Sequence, residues 1–413
     1  MKLSIIICVY NTATDYLVEC LESITNSTLK SIEGDYEICM VDDGSTVDYT
    51  EIVNTYRVKY VKTENRGILA ARTTGIAMAS GEYAAFCDSD DSVSFHYHLA
   101  MLQKAEQTGA DIVINDWAFH TPRIRYYCQR DDLIHQDLDI SGDRTLLAFV
   151  GQDGKQHSFY VLWNKLYRTE LLRGAFASLA ESSYPKDSSY SEDAAVNFFA
   201  WRDASRVVNI HTGFYFYRIH ESQSVNVVSA EKLRRQINSM AACLGVMRES
   251  IGNNEYKEEI LSHIRSWEEL MARSHYSHAA ENEYTELYDL LREQYHVTEL
   301  ARMTPQDGAA YTGNILLGTN FQEVDAQLLS LWNAKNTTAI AYGGNADYVN
   351  RAISLLANEG KVTVVKKKLA DVIVTDFEIS LRTKIVHNDM IYRIGSKIFK
   401  KGSKLRKILK KLL

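Results

Sequence analysis

The sequence predicts an α/β protein built on a mostly parallel sheet of the doubly covered kind. Three observations predict it. Through the first 120 residues, short apolar runs of strand length alternate with stretches whose apolar residues recur at helical spacing. The 413 residues include only 3 prolines and 21 glycines, with 46% hydrophobic and 24% charged residues, which excludes a collagen-like, linker-dominated or disordered chain. Finally, three of the early apolar runs end in polar clusters, and an open parallel sheet binds ligands beyond the carboxyl ends of its strands.

The elements follow in order. Leu3–Val9 is an apolar run of strand length, and Leu17, Cys20, Leu21 and Ile24 then fall on one helical face. Tyr36–Val41 is a second strand, stopped by Asp42-Asp43-Gly44-Ser45. Residues 49–56 predict a short helix, 58–62 a strand and 67–79 an Ala-rich helix. Residues 82–87 predict a strand, stopped by Asp88-Ser89-Asp90-Asp91, and 95–108 and 111–115 a helix and a strand. Strands alternating with helices imply a sheet covered on both faces. Beyond residue 120 the pattern is mixed, with strand, helix and strand expected at 160–167, 193–201 and 207–217. Residues 230–294 read as helical and contain no proline. A small βαβ unit is expected over 337–365, with a further strand at 371–375. Its Gly343-Gly344 loop lacks both a GxGxxG pattern and a P-loop lysine, so it reads as structural or as an oligomerisation unit. The expected organisation is an α/β domain at 1–228, a helical region at 229–335, a small α/β unit at 336–395 and a basic amphipathic tail at 396–413.

Charge and cysteine usage narrow the function classes. Net charge is -7, but 8 of the basic residues and no acidic ones fall within 396–413, leaving an acidic body. That distribution excludes a nucleic-acid binder with a broad positive face. In the tail, Leu405, Ile408, Leu409 and Leu412 form an apolar stripe among Lys404, Arg406, Lys407, Lys410 and Lys411, the pattern of a helix lying in a membrane interface. The 6 cysteines form no CxxC pair, which argues against zinc ribbons and disulfide scaffolds; Cys8, Cys39 and Cys87 sit in apolar runs as reduced core residues. No run of 18 apolar residues occurs, and the N-terminal run lacks a cleavage pattern. The expectation is a cytoplasmic protein, peripheral on the cytoplasmic face of a membrane.

Tyr10-Asn11, Asp42-Asp43-Gly44-Ser45 and Asp88-Ser89-Asp90-Asp91 close three strands of one sheet, so they are expected to converge on one cleft. Carboxylate oxygens there suit a hard divalent cation, Mg²⁺ or Mn²⁺. Asp42 or Asp43 is able to accept hydrogen bonds from a base N–H or a ribose hydroxyl.

The blocks Leu3–Asn11, Tyr36–Thr46, Asn65–Arg72 and Gly75–Asp91 together resemble the nucleotide-sugar half of family 2 glycosyltransferases, whose fold is called GT-A. The resemblance runs block by block over residues 3–92, more loosely to about 228, and not beyond. Cys8 departs from the proline common in the family at that strand end. The resemblance implies that Tyr10, Asn11, Asp42 and Asp43 hold the nucleotide base, and that Asn65, Arg66, Gly67 and Arg72 line the nucleotide site. Gly67 allows close backbone approach there. Arg72 either pairs with phosphate or holds the acidic loop by an ion pair. Asp88-Ser89-Asp90-Asp91 resembles the family's DXD motif: Asp90 is the first metal ligand, Asp88 meets the ribose or a metal-bound water, Ser89 lies beside the donor, and Asp91 supports either.

An inverting transfer also needs a base for the acceptor hydroxyl. Ser189-Tyr190-Ser191-Glu192-Asp193 resembles the family's Glu-Asp pair at a helix start, which implies Asp193 as base and Glu192 beside it, supporting the site or touching acceptor. The block Val161–Tyr167 also resembles the family; its Trp163 either stacks on an acceptor sugar or belongs to the core. Tyr217-Arg218-Ile219-His220-Glu221-Ser222-Gln223-Ser224 resembles the segment that folds over the diphosphate. It implies Arg218 on phosphate, His220 on phosphate or metal, and Ser224 on the donor.

The function implied is a metal-dependent, inverting hexosyl- or N-acetylhexosaminyltransferase. It moves a sugar from a UDP-sugar donor to a hydroxyl of a growing, lipid-linked cell-surface glycan. A nucleotidyltransferase would need a Gly-rich phosphate loop near the N-terminus, and Leu3–Asn11 holds no glycine. A non-catalytic scaffold with a degenerate transferase fold would not need both the acidic loop and the Glu192-Asp193 pair. An oligomer is compatible with either.

Overall fold

The computed structural model describes residues 1–120, 126–129, 137–151, 157–188, 190–220, 229–282, 284–295 and 313–316. Ser224, the expected unit at 336–395 and the tail at 396–413 lie outside the described residues.

The chain opens with β1 (Leu3–Val9), α1 (Thr14–Thr25), β2 (Tyr36–Asp42), α2 (Thr50–Tyr56), β3 (Lys59–Lys62), α3 (Ile68–Met78) and β4 (Tyr83–Phe86). A short β5 (Ser92–Val93), α4 (Tyr97–Thr108) and β6 (Ile112–His120) follow. Next come β7 (Tyr126–Gln129), β8 (Asp139–Ser141), α5 (Arg144–Val150), α6 (His157–Tyr160), β9 (Lys165–Arg168), α7 (Thr169–Glu181), α8 (Glu192–Asp203) and β10 (Arg206–Arg218). The helices α9 (Ala230–Glu249), α10 (Lys257–Glu281) and α11 (Tyr288–Gln294) precede β11 (Gly313–Leu316), the last strand among the described residues.

The eleven strands of the described residues join one sheet, whose main path runs β11-β7-β6-β9-β4-β1-β2-β3. From β3 through β2 and β1 to β4 the pairing is parallel, with Leu3 opposite both Tyr36 and Tyr83. The strand β9 then enters antiparallel between β4 and β6, and β10 runs parallel to β6 and antiparallel to β5. The parallel strands therefore deliver Asn11, Asp43 and Asp88 to the same edge.

The burial pattern explains why the run Leu3–Val9 reads as continuously apolar. Six of its seven residues are buried, all but Cys8, as expected for a strand covered on both faces. Ile6 packs with Phe86 and the helices α7 and α8, whereas Ile5 and Ile7 pack with Leu17, Leu21 and Met101 of α1 and α4. Each such aliphatic side chain contributes about 1.5–3 kcal/mol on burial. Helix α3 sits directly on β1 because Gly75 has no side chain: a Cβ there would lie 2.4 Å from Ile6 Cγ2.

The helices α9 and α10 are not appended loosely. Phe149 of α5 meets Trp201 of α8 and Trp267 of α10 with ring centroids 5.6 and 6.1 Å apart, in one core with Leu233, Ile237 and Leu244 of α9.

One expectation differs. Residues 160–164 are not strand; β9 starts only at Lys165. The apolar stretch Val161-Leu162-Trp163 is buried, but side chains occupy its carbonyls. Asn197 Nδ2 donates to Tyr160 O (2.9 Å) and Val161 O (3.1 Å), and Lys165 Nζ donates to Val161 O and Asn164 Oδ1. Side-chain donors thus satisfy backbone that a ladder would otherwise have to satisfy.

Candidate active site

The three polar strand ends are laced together. After β1, Asn11 takes a left-handed conformation (φ 51), which a short amide side chain tolerates. Its N–H donates to Ser45 Oγ at 2.9 Å, and its Oδ1 accepts from the N–H and hydroxyl of Thr46 at 2.8 and 3.0 Å. Thr12 and Ser89 share a hydroxyl hydrogen bond of 2.7 Å. Tyr10 is 56% exposed at the rim.

The acidic pair at the end of β2 faces inward. Asp42 is fully buried and accepts from Ser45 N–H (2.7 Å) and Tyr60 OH (2.8 Å), with Lys62 Nζ 3.5 Å away. Burial opposes its charge, but these hydrogen bonds and Lys62 prevail and hold the carboxyl below its ordinary range. Asp43 accepts one N–H on each oxygen, from Arg66 (2.9 Å) and Gly67 (2.8 Å), so it caps the start of α3. Gly67 adopts φ 86, a conformation glycine takes without strain. The Arg66 and Asn65 side chains are exposed beside it.

Arg72 of α3 is 5% exposed and gathers three carboxylates. Its Nη1 donates to Glu192 Oε1 at 2.8 Å and to Asp193 Oδ1, and its Nη2 lies 3.3 Å from Asp88 Oδ1. The guanidinium also lies over the Phe86 ring, at 5.8 Å. Through Nη2, Arg72 is ion-paired with Asp88 of the acidic loop. The second Asp193 oxygen accepts the Leu162 N–H at 3.2 Å. One cation among three carboxylates leaves excess negative charge in a closed space, which favours protonation. Burial pushes Asp88 up to about 6, against the pull of Arg72 and with the repulsion of Asp193 and Asp90. Burial, then the neighbouring Asp193, pushes Glu192 up to about 8, again against Arg72.

The end of β10 is stitched to the acidic loop. The Asp88 N–H donates to Tyr215 OH (2.9 Å), which donates to Asp91 Oδ2 (2.7 Å); Asp91 Oδ1 accepts the Arg218 N–H (2.7 Å). Asp91 is thereby buried as a structural support, its carboxyl held well above the ordinary range by burial and by Asp90 and Asp88. Arg218 Nε donates to the Asp90 carbonyl (2.6 Å), Nη2 meets Glu19 Oε2 (2.7 Å), and the guanidinium lies 4.4 Å over the Tyr16 ring. His220 Nε2 is 2.7 Å from Asp90 Oδ2.

These donors fit a divalent cation completed by a substrate. Asp90 and His220 present an oxygen and a nitrogen together, with side chains 31% and 16% exposed, and Asp88 stands in the same loop. A Mg²⁺ or Mn²⁺ in phosphate-transfer sites takes one or two carboxylates and draws its other ligands from phosphates and water. Among the described residues no preassembled cluster of three His, Cys, Asp or Glu ligands occurs. No helix among them is long and apolar enough to cross a membrane.

Trp163 belongs to the core. It is buried, stacked on Tyr215 (4.4 Å, 19°) and Tyr217 (5.6 Å, 24°), with Trp117 edge-on. Four participants escape sequence reasoning: Tyr16 and Glu19 of α1, Tyr215, and Asn197. Tyr16 and Glu19 are three apart on one helical face, a weak signal; nothing local marks the other two.

A profile of "Glycosyl transferase family 2" matches residues 4–174. The glycosyltransferase GlyA of Streptococcus pneumoniae is 28% identical over 258 residues, spanning 58% of this chain but only 34% of GlyA. The cholesterol galactosyltransferase of Borreliella burgdorferi is 30% identical over 277 residues, spanning 63% of this chain and 72% of that protein. Among solved structures, S. aureus TarS 1-349 in complex with UDP-GlcNAc superposes over 77% of this chain and 97% of its own, at 17% identity and a TM-score of 0.46. On the profile match and the extended similarity to relatives of this kind, the chain is a glycosyltransferase and belongs to glycosyltransferase family 2.

Proposed function

We propose that the chain transfers a sugar, with inversion, from a UDP-sugar to a hydroxyl of a growing cell-surface glycan, in a reaction that depends on Mn²⁺ or Mg²⁺. One observation carries the reading: Arg72 brings Asp88 of the acidic loop and Asp193 of α8 within reach of a single guanidinium. The leaving group and the attacking group of a displacement must be served from one cleft, and these two carboxylates serve them.

Asp193 takes the proton of the acceptor hydroxyl as its oxygen forms a bond to the anomeric carbon. The bond from that carbon to the diphosphate oxygen breaks, and UDP leaves with the electron pair. Arg72 and the Leu162 N–H fix both Asp193 oxygens, which orients the carboxylate. Glu192, with its pKa near 8, carries a proton at neutral pH and so has a hydrogen bond to donate beside the base. A divalent cation held by Asp90 and His220, with Asp88 beside them, would supply neutralisation of the departing diphosphate. Arg218 lies along the same loop and supports this side of the site. A hydroxyl acceptor agrees with the name of the Borreliella burgdorferi relative, a cholesterol galactosyltransferase.

The test is UDP release from a panel of UDP-hexoses and UDP-N-acetylhexosamines, with and without Mn²⁺. Asp193→Asn is expected to lower turnover by about 10²–10⁴-fold while retaining UDP binding. Release from no donor, or an Asp193→Asn variant as active as the parent, refutes the reading. We further propose that the acceptor is lipid-linked and that residues 396–413, with 8 basic residues, hold the enzyme at the membrane surface. Deleting them should abolish sedimentation with phosphatidylglycerol vesicles; unchanged sedimentation refutes docking by the tail.

A further inference from the structure

The turn that leads into Glu192 and Asp193 is built in a conformation it would not adopt alone. Ser191, at the head of α8, sits in the left-handed region (φ 61, ψ 7) without being glycine. That conformation costs an L-residue about 1–2 kcal/mol. Nor does the Ser191 side chain recover the cost by capping α8, since it makes no cap hydrogen bond. Its hydroxyl instead donates to the Tyr190 carbonyl at 2.6 Å. The Ser191 carbonyl accepts the Ala195 N–H at 3.1 Å and so begins the helix. The backbone of Ser191 thus sets the direction of the first helical turn, from which Glu192 and Asp193 project. Strained residues of this kind persist only where their surroundings over-determine them.

The turn is held by its own Tyr184 and Ser188 and, from outside, by α9 and α10, beyond the residues that match the family profile. Ser239 of α9 and Ser188 of the turn are both buried and share a 2.7 Å hydrogen bond. Ser188 Oγ is also 3.0 Å from the Tyr190 carbonyl and 2.9 Å from the Tyr184 hydroxyl, which itself reaches the Tyr190 carbonyl at 2.7 Å. Cys243, one helical turn beyond Ser239, is fully buried; burial pushes its thiol up, and the Ser191 hydroxyl pulls against that push. On the other side, the Tyr190 ring lies 6.3 Å from His275 of α10, whose Nδ1 is 2.9 Å from Tyr295 OH just after α11.

We propose that α9 is a brace for the base-bearing turn, with Ser239 as a positioning residue that acts through Ser188 and Ser191 on Asp193. The helical region then does more than enlarge the core. It holds the left-handed turn in the one geometry that aims Asp193 at Arg72 and the acceptor side of the cleft. The proposal rests on the reading of Asp193 as base.

The experiment uses the full chain and UDP release from the same UDP-sugar panel with Mn²⁺, with hydrogen exchange of residues 184–195 read in parallel. Ser239→Ala should lower kcat about tenfold, leave the donor KM within about twofold, and speed exchange in 184–195 but not in β1 or β2. Adding Ser191→Gly, which adopts φ 61 freely, should restore most of the lost kcat. Ser188→Ala removes the same contact from the other side, and its effect should not add to that of Ser239→Ala. Should Ser239→Ala fail to fold, Ser188→Ala alone carries the test. A folded Ser239→Ala or Ser188→Ala variant with unchanged kcat and unchanged exchange overturns the brace, as does failure of Ser191→Gly to rescue. A parent enzyme that releases UDP from no donor refutes the transferase reading instead, and the exchange measurement still decides the brace.

Discussion

Nη1 of Arg72 donates to Oε1 of Glu192 at 2.8 Å, joining two helices that lie far apart in the sequence. Because the same guanidinium also reaches Asp193 and Asp88, it is the electrostatic keystone of the site. Removing one partner of a buried ionic cluster leaves the others uncompensated, at a cost of about 3–5 kcal/mol. Arg72→Gln is therefore expected to lower stability by about 3 kcal/mol at pH 8, measured by urea denaturation, and by much less at pH 5, where Asp88 and Glu192 are protonated. Arg72→Lys should recover part of the stability but little of the activity, since an ammonium cannot reproduce the fork that reaches three carboxylates. An equal loss at both pH values would show that the contribution of Arg72 does not depend on the ionisation of Asp88 and Glu192.

Glu192 makes a second, independent prediction about pH. Its folded-state pKa is about 8, above the ordinary value of 4.5, chiefly through burial. The folded protein therefore binds a proton that the unfolded chain releases. The associated stability is fully present below pH 4.5, declines as pH rises, and is gone above about 8. Asp88, raised to about 6 from 3.8, acts in the same direction over a lower window. Between pH 5 and 8 the parent should lose roughly 2–4 kcal/mol that Glu192→Gln does not lose. Parallel stability–pH curves for the two proteins would refute the assignment.

The Asp90–His220 pair, 2.7 Å apart, makes the metal prediction. Asp90→Ala should raise the Mn²⁺ concentration for half-maximal UDP release by at least about tenfold, and His220→Ala by less. Excess EDTA should abolish release by the parent enzyme. Unaltered Mn²⁺ dependence in Asp90→Ala would remove this carboxylate from the metal site.

The sequence made the scaffold legible wherever one chain segment carries its own signal. The run Leu3–Val9 announces a doubly covered strand because six of its seven residues are buried. The polar ends at Asn11, Asp43 and Asp88 could be placed together because parallel strands share an edge. What could not be read is what depends on partners distant in sequence. Arg72 meets Glu192 and Asp193, partners that nothing local to α3 announces. Trp163 allowed two until Tyr215 and Tyr217 stacked on it. The stretch 160–164 looked like strand because its side chains are apolar, yet Asn197 and Lys165 claim its carbonyls from elsewhere. Hydrophobic pattern reports burial and is silent about which group satisfies the backbone.

Glu19 is the least expected member of the site and gives the last prediction. On α1, it holds Arg218 Nη2 at 2.7 Å while the guanidinium lies on Tyr16 and its Nε grips the Asp90 carbonyl. The pair is half-open to solvent, with Glu19 36% exposed, so its direct contribution to stability is small, about 0–1 kcal/mol. Its larger effect is on position: Arg218 restrains the loop that carries Asp90, and Glu19 restrains Arg218. Glu19→Gln should therefore leave the urea midpoint nearly unchanged while raising the donor KM and the Mn²⁺ requirement together, by about three- to tenfold. Arg218→Lys should reproduce both effects more strongly, because an ammonium cannot hold Glu19 and the Asp90 carbonyl in one planar fork. A Glu19→Gln variant that loses stability but keeps both constants would make the contact a prop for α1 and nothing more.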